Sequence, residues 1–143
     1  MTDRKVELLV PAGSLEVLKV AVDYGADAVY IGGQAYGLRA KADNFSIDEM
    51  KEAAAYAHAK NAKVYVTANI FAHNYDIDGM KTYFEQLKDT GVDAVLVSDP
   101  GIFTLAKETM PDMELHISTQ ANNTNYLTYN FWYKLGAKRV VTA

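Results

Sequence analysis

The stretch GGQAYGLRAKADNFS, from Gly32 to Ser46, carries the sharpest chemical signal in the chain. Arg39 and Lys41 supply donors suited to a carboxylate or a phosphate, and Asn44 adds an amide. Gly32, Gly33 and Gly37 permit close backbone approach and positive φ, so the stretch reads as an anion-binding loop. A solvated loop whose cations pair with nearby acids is the plainer alternative. A second polar set, STQANN, offers Ser118, Gln120 and Asn122 beside Thr119 and Asn123. Helix caps account for one or two of these, which leaves the others to orient a ligand. Asn69 and His73 in NIFAHN, and Ser98 in SDPG, complete the ligand-binding candidates.

For proton transfer the candidates are His73 and Asp99. A lone loop histidine is more often a surface or capping group, and Asp99 followed by Pro100 is explained by capping alone. His116 falls inside a strand near Glu7 and Tyr65, where a structural hydrogen bond is expected. His58 lies in mid-helix and reads as inert.

What is missing narrows the chemistry. The 143 residues contain no cysteine, so the chain offers no thiol nucleophile and no thiolate for zinc or an iron–sulfur cluster. HExxH, GxSxG, GxGxxG and P-loop patterns are absent, and no spaced metal ligands occur. Fourteen basic residues against 18 acidic ones give a net charge of −4, so a nucleic-acid contact needs a local basic patch. With 50% hydrophobic and 22% charged residues, the composition is that of a soluble globular protein. No apolar run reaches membrane-spanning length and MTDRKVELLV lacks a signal-peptide layout, so the expectation is a cytoplasmic protein without membrane contact.

These residues need a scaffold, and the chain's periodicity describes one. Short apolar runs at 6–10, 27–32, 63–70, 93–98, 114–118 and 138–142 alternate with segments of helical period. Ser46 and Glu49 form a capping box, with Phe45 able to staple onto Met50. Ile47, Met50, Ala54 and Ala57 share one helix face, and Met80, Phe84 and Leu87 share another. Gly25, Asn61, Gly91 and Gly136 each mark a left-handed helix exit just before a strand. Six strands alternating with five helices argue for a parallel α/β sheet.

Period two within the strands selects the architecture. One face collects Val6, Leu8, Val10, Val29, Ile31, Val64, Val66, Val95, Val97, Leu115 and Ile117, suited to covering helices. The other carries Glu7, Tyr30, Tyr65, Thr67, Asn69, Ser98, His116, Ser118 and Gln120. A doubly wound sheet is apolar on both faces, whereas a barrel lumen accepts polar groups near its mouth. The expected fold is therefore a partial (β/α) barrel of the TIM type. It has six parallel strands where a full barrel has eight, with ligands bound beyond the strands' carboxyl ends. Residues 1–143 read as one N-terminal barrel fragment of a longer protein. Its exposed edges would be covered by the missing C-terminal half or by another copy.

ELLVPAGSLEVLKVAVDYGADAVYIGG, LRAKADNFS, VTANIFAHN, VSDPG and HISTQANNTN with the later LGAKRVV together resemble the N-terminal region of the collagenase-like peptidase family U32. The resemblance runs from about Glu7 to the last residue. It implies a chain that continues well past this point. It also implies one of two activities, since the family carries a peptidase label while several members hydroxylate RNA bases or a quinone precursor without oxygen. Those members are associated with an iron–sulfur cluster held by cysteines, and the RNA-modifying ones with prephenate. The cluster is implied for full-length members through downstream cysteines; no residue here binds it, and no cofactor is expected on this chain. NIFAHN, SDPG and STQAN look most like the branch that makes 5-hydroxyuridine in tRNA. On that resemblance Arg39 and Lys41 suit the carboxylates of prephenate or the phosphates of RNA. The alternatives are a collagenase-like peptidase and a non-catalytic ligand-binding fragment.

Overall fold

The computed structural model describes residues 6–38 and 44–143. Six strands, β1 (Leu9–Ala12), β2 (Ala28–Gly32), β3 (Lys63–Thr67), β4 (Ala94–Val97), β5 (Glu114–Ile117) and β6 (Arg139–Val140), form one sheet in chain order. Every neighbouring pair is parallel. Helices α1 (Leu15–Asp23), α2 (Ile47–Ala59), α3 (Ile77–Leu87), α4 (Pro100–Thr109) and α5 (Tyr126–Leu135) make the crossovers. The fold is thus the six-stranded part of a (β/α) barrel, in which each helix returns the chain to start the next parallel strand.

Local chemistry sets the helix boundaries. Ser46 Oγ accepts from Glu49 N at 3.2 Å while Glu49 Oε2 accepts from Ser46 N at 2.8 Å, the reciprocal capping box at the start of α2. Asp99 caps α4 through Ile102 N at 2.9 Å, with Pro100 at the first helical position. At the exits Gly25, Asn61, Gly91 and Gly136 all have positive φ, between 58° and 102°. That geometry turns the chain back toward the sheet within two or three residues.

The core lies between sheet and helices. Val29, Ile31, Val64, Val66, Val95, Val97, Leu115 and Ile117 are buried there with Met50, Met80, Phe84 and Leu87 from the helix faces. The opposite, lumen-facing side holds a small separate cluster of Ala28, Tyr65 and Ala94, flanked by Leu9, Tyr30 and Leu96.

The first strand departs from the sequence expectation. It runs from Leu9 to Ala12 rather than from 6 to 10, and Val6 and Leu8 are exposed instead of facing helices. Pro11 lies within β1, opposite Tyr30 in the register with β2. The third strand also ends early, at Thr67 instead of 70. Short 3-10 turns at Asn74–Asp76 and Thr119–Ala121, which periodicity does not mark, occupy two of the carboxyl-end loops.

Candidate functional site: the mouth of the half-barrel

The strand register lays the lumen out in rungs. Pro11, Tyr30, Tyr65, Ala94 and Glu114 align as one, and Gly32, Thr67, Leu96, His116 and Arg139 as the next. Two residues further on, just past the strand ends, come Asn69, Ser98, Ser118 and Val141. Ladder bonds continue to this level, with Ala68 N donating to Leu96 O at 2.8 Å, Ser118 N to Val97 O at 2.8 Å and Val141 N to Ile117 O at 2.9 Å. The side chains of the mouth are therefore held by extended, hydrogen-bonded backbone rather than by free loop.

These residues form a connected network. Asn69 Nδ2 donates to Ser118 Oγ and to Gln120 Oε1, both at 3.1 Å, and Ser98 Oγ donates to the Asn69 carbonyl at 3.3 Å. Ser118 Oγ and, at 3.4 Å, Thr119 Oγ1 also donate to Gln120 Oε1. Asn123, fully buried, braces the loop from beneath by donating to the carbonyls of Ser118 (2.9 Å) and Val141 (3.1 Å). Above the network opens a cavity of about 470 Å³. Asn44, Thr67, Asn69, Ser118 and Gln120 give it polar walls, and Leu9, Pro11, Tyr30, Leu38 and Leu96 give it apolar ones.

The glycines of the long second loop act through close approach. A Cβ on Gly32 would lie 2.9 Å from Asn44 Oδ1, and one on Gly33 only 2.0 Å from the Tyr83 hydroxyl. None of Gly32, Gly33 and Gly37 has positive φ, contrary to the sequence expectation; Tyr36, at φ 63°, takes the left-handed position instead. The loop's ends are pinned together by Phe45 N donating to Gly32 O at 2.9 Å.

Of the sequence candidates, Asn44, Asn69, Ser118 and Gln120 line the cavity, and Ser98 supports it through Asn69. Arg39 and Lys41 lie outside the described residues. His73 is exposed, stacks on Tyr75 with ring centroids 5.3 Å apart, and sits at the start of a 3-10 turn away from the cavity lining. Asp99 spends its carboxylate on the α4 cap. Asn122 occupies a left-handed position, φ 54°, at the end of the second 3-10 turn and is exposed. His58 is less inert than its position suggests, since its Nε2 lies 2.9 Å from Asp93 Oδ2.

Sequence reasoning passes over two groups. Thr67, named on the lumen face but not as a site residue, lines the cavity and donates to Ile31 O at 3.2 Å. The other is Arg139, which reaches Glu7 near the opposite, amino-terminal end of the lumen, Nη1 to Oε1 at 2.7 Å and Nη2 to Oε2 at 3.2 Å. Tyr65 donates to Glu7 at 3.0 Å, lies under the guanidinium at 5.1 Å, and meets His116 edge-on at 4.8 Å. Hydrogen bonding from Arg139 holds the Glu7 carboxyl below its usual range. Burial pushes the Tyr65 hydroxyl up to about 12 and the His116 imidazole down. His116 Nε2 also lies 2.8 Å from Glu114 Oε1. The sequence reading groups His116 with Glu7 and Tyr65 by layer, and Arg139, at the first residue of the last strand, is the member it passes over.

Among the described residues no group of three or more His, Cys, Asp or Glu side chains could hold a metal ion. No helix there is long and apolar enough to cross a membrane.

Comparison with known proteins places this geometry in context. The profile of peptidase family U32 matches residues 13–143. The chain is 50% identical over 140 residues to tRNA hydroxylation protein P1 of Bacillus subtilis (strain 168), covering 98% of this chain and 33% of that protein. It is 36% identical over 143 residues to the 23S rRNA 5-hydroxycytidine C2501 synthase of Escherichia coli (strain K12), covering 100% of this chain and 21% of that one. Among solved structures, the U32 peptidase Mk0906 superimposes with a TM-score of 0.75 at 16% identity, over 99% of this chain and 60% of that one. The chain thus spans about a third or less of these curated relatives.

Proposed function

The chain belongs to peptidase family U32, and from that premise we propose that it is the N-terminal barrel part of a longer, cytoplasmic enzyme that hydroxylates tRNA uridine without molecular oxygen. The observation that carries this reading is the 50% identity, over nearly the whole chain, to a protein named for tRNA hydroxylation. The geometry is compatible with it, because the mouth network can bind and orient a ligand. Proteolysis has less support: the sequence has no cysteine, and among the described residues no serine is paired with a histidine base and no group of three or more His, Asp or Glu side chains is gathered.

Replacing a ring C–H by C–OH removes two electrons, and the side chains of this chain offer no group to accept them. An iron–sulfur cluster would supply such redox chemistry, but its thiolate ligands cannot come from a chain without cysteine. In this reading the cysteines lie outside the 143 residues, and the work of this part is binding and positioning. A prephenate-like dicarboxylate belongs to the same proposal, with Arg39 and Lys41 as its cationic partners.

The test is chemical. Mass spectrometry of tRNA nucleosides from cells lacking the gene should show loss of 5-hydroxyuridine, restored by the intact gene. Unchanged nucleosides, together with gelatin cleavage by a pure preparation, would replace this reading with the peptidase one.

A further inference from the structure

We propose that Tyr36 in the long second loop and Gly79 and Tyr83 on α3 are positioning residues of the mouth: each tyrosine seats against a glycine of the other element, and this clasp fixes the loop where it meets Asn69. The clasp follows from packing alone; only its effect on activity rests on the RNA-hydroxylation reading.

Two reciprocal contacts make it. Glycine inside a helix is disfavoured relative to alanine, so Gly79 in the first turn of α3 needs a local cause. That cause is Tyr36, because a Cβ on Gly79 would fall on the Tyr36 hydroxyl. In return Tyr83, four residues along the same helix face, reaches back to the loop, where its hydroxyl fills the space that a Cβ on Gly33 would take. The two rings meet with centroids 5.6 Å apart, tilted by 48°. Tyr83 is buried and its hydroxyl has no hydrogen-bond partner, so it acts here by volume. A buried donor left unpaired is costly, and the fit against Gly33 and Tyr36 offsets that cost.

The other side of the same loop touches the mouth. The Tyr36 carbonyl accepts from Ile70 N at 3.2 Å, and Leu38 N donates to Asn69 Oδ1 at 3.5 Å. Asn69 is the residue whose amide donates to Ser118 and Gln120. Tyr36 also holds a left-handed φ of 63°, a conformation that a tyrosine keeps only where its surroundings impose it. Lifting Tyr36 off Gly79 therefore pulls on Ile70 and Leu38 together, and through Asn69 on the network. No described residue of α3 lines the cavity, so the helix acts on the mouth only through the loop.

Hydrogen exchange reads the clasp without turnover. In the full-length protein Gly79→Ala should speed exchange of the Ile70 amide about tenfold and leave Val66, inside β3, at the parent rate. With phenylalanine at position 36 the nearest ring atom to the new Cβ lies 3.1 Å away, so Gly79→Ala/Tyr36→Phe should return Ile70 close to the parent rate. Tyr36→Leu, which empties the seat without any overlap, should speed exchange as well. In cells at matched soluble levels, Gly79→Ala should lower 5-hydroxyuridine several-fold and the double variant should restore it. Parent exchange at Ile70 in both Gly79→Ala and Tyr36→Leu, or an acceleration that phenylalanine at position 36 fails to reverse, would overturn the clasp. Unchanged tRNA on deletion of the gene would refute the enzyme reading and leave the exchange test standing. Full 5-hydroxyuridine with Gly79→Ala, in a strain whose deletion loses it, would refute the positioning role alone.

Discussion

Glu7 and Arg139, 132 residues apart in sequence, meet toward one end of the lumen as a two-point ion pair, whereas Asn69, Ser118 and Gln120 meet at the other as neutral dipoles. At the charged floor every strong group answers another: Tyr65 donates to Glu7, Arg139 lies over Tyr65, and His116 pairs with Glu114. At the mouth the network holds the side chains in place but leaves donors available. The contrast teaches that charge by itself is a poor guide to a site. Charges that satisfy each other brace a scaffold, and polar groups held by neighbours with capacity left over are the ones that can receive a ligand.

Breaking the floor should cost most. Arg139→Met leaves Glu7 without its partner, and because about a third of each side chain still meets water, the loss should fall below that of a fully buried pair, at about 2 kcal/mol. Urea denaturation measures it, and the double variant Glu7→Gln/Arg139→Met should recover part of the loss. A floor that tolerates Arg139→Met without change would erase the distinction between the two ends.

Acid should attack the same place. His116 is held below its ordinary value of 6.5 by burial, so the unfolded chain takes up a proton first and stability declines as pH falls below about 6.5. Glu7 is held below 4.5, chiefly by Arg139, so its contribution is complete above that value and is lost as pH falls through the lowered one. Urea midpoints between pH 7 and 3 should show both declines, and Glu7→Gln should flatten the second alone.

Asp99 separates capping from chemistry on the rim. Asp99→Ala should cost about 1 kcal/mol by removing the α4 cap, and Asp99→Asn, which caps equally well, should cost only a few tenths and keep full activity. Activity lost in the asparagine variant would make the carboxylate chemical after all. Gln120→Leu removes the acceptor shared by Asn69, Ser118 and Thr119 and should cost about 0.5–1 kcal/mol, less than a buried pair because the position is exposed.

The parts legible in sequence are those with local causes. Alternation placed the aliphatic face of β2 through β5 against the helices, and the helix exits at Gly25, Asn61, Gly91 and Gly136 follow from backbone sterics that a few residues determine. Asn69, Ser118 and Gln120 were legible because alternation puts them on the lumen face at the carboxyl ends of β3 and β5. The apolar run at 6–10 put β1 too early, because its residues differ little in hydropathy from Leu9–Ala12, and only pairing with β2 fixes the strand's bounds. The Glu7–Arg139 pair could not be seen by alternation, which places residues on a face but not across a lumen. Only the tilt and curvature of the whole sheet bring the first strand's approach to the start of the last.

A neutral mouth that binds ligand and a charged floor that braces the sheet should respond differently to substitution. The most direct measurement is the 5-hydroxyuridine content of tRNA in cells lacking the gene and complemented with full-length variants. Tyr30→Phe/Gln120→Leu should abolish most of the modified nucleoside, while Glu7→Gln/Arg139→Met, expressed at matched levels, should restore it. Full modification with the mouth variant, or its loss with the floor variant alone, would move the ligand chemistry from the mouth to the floor.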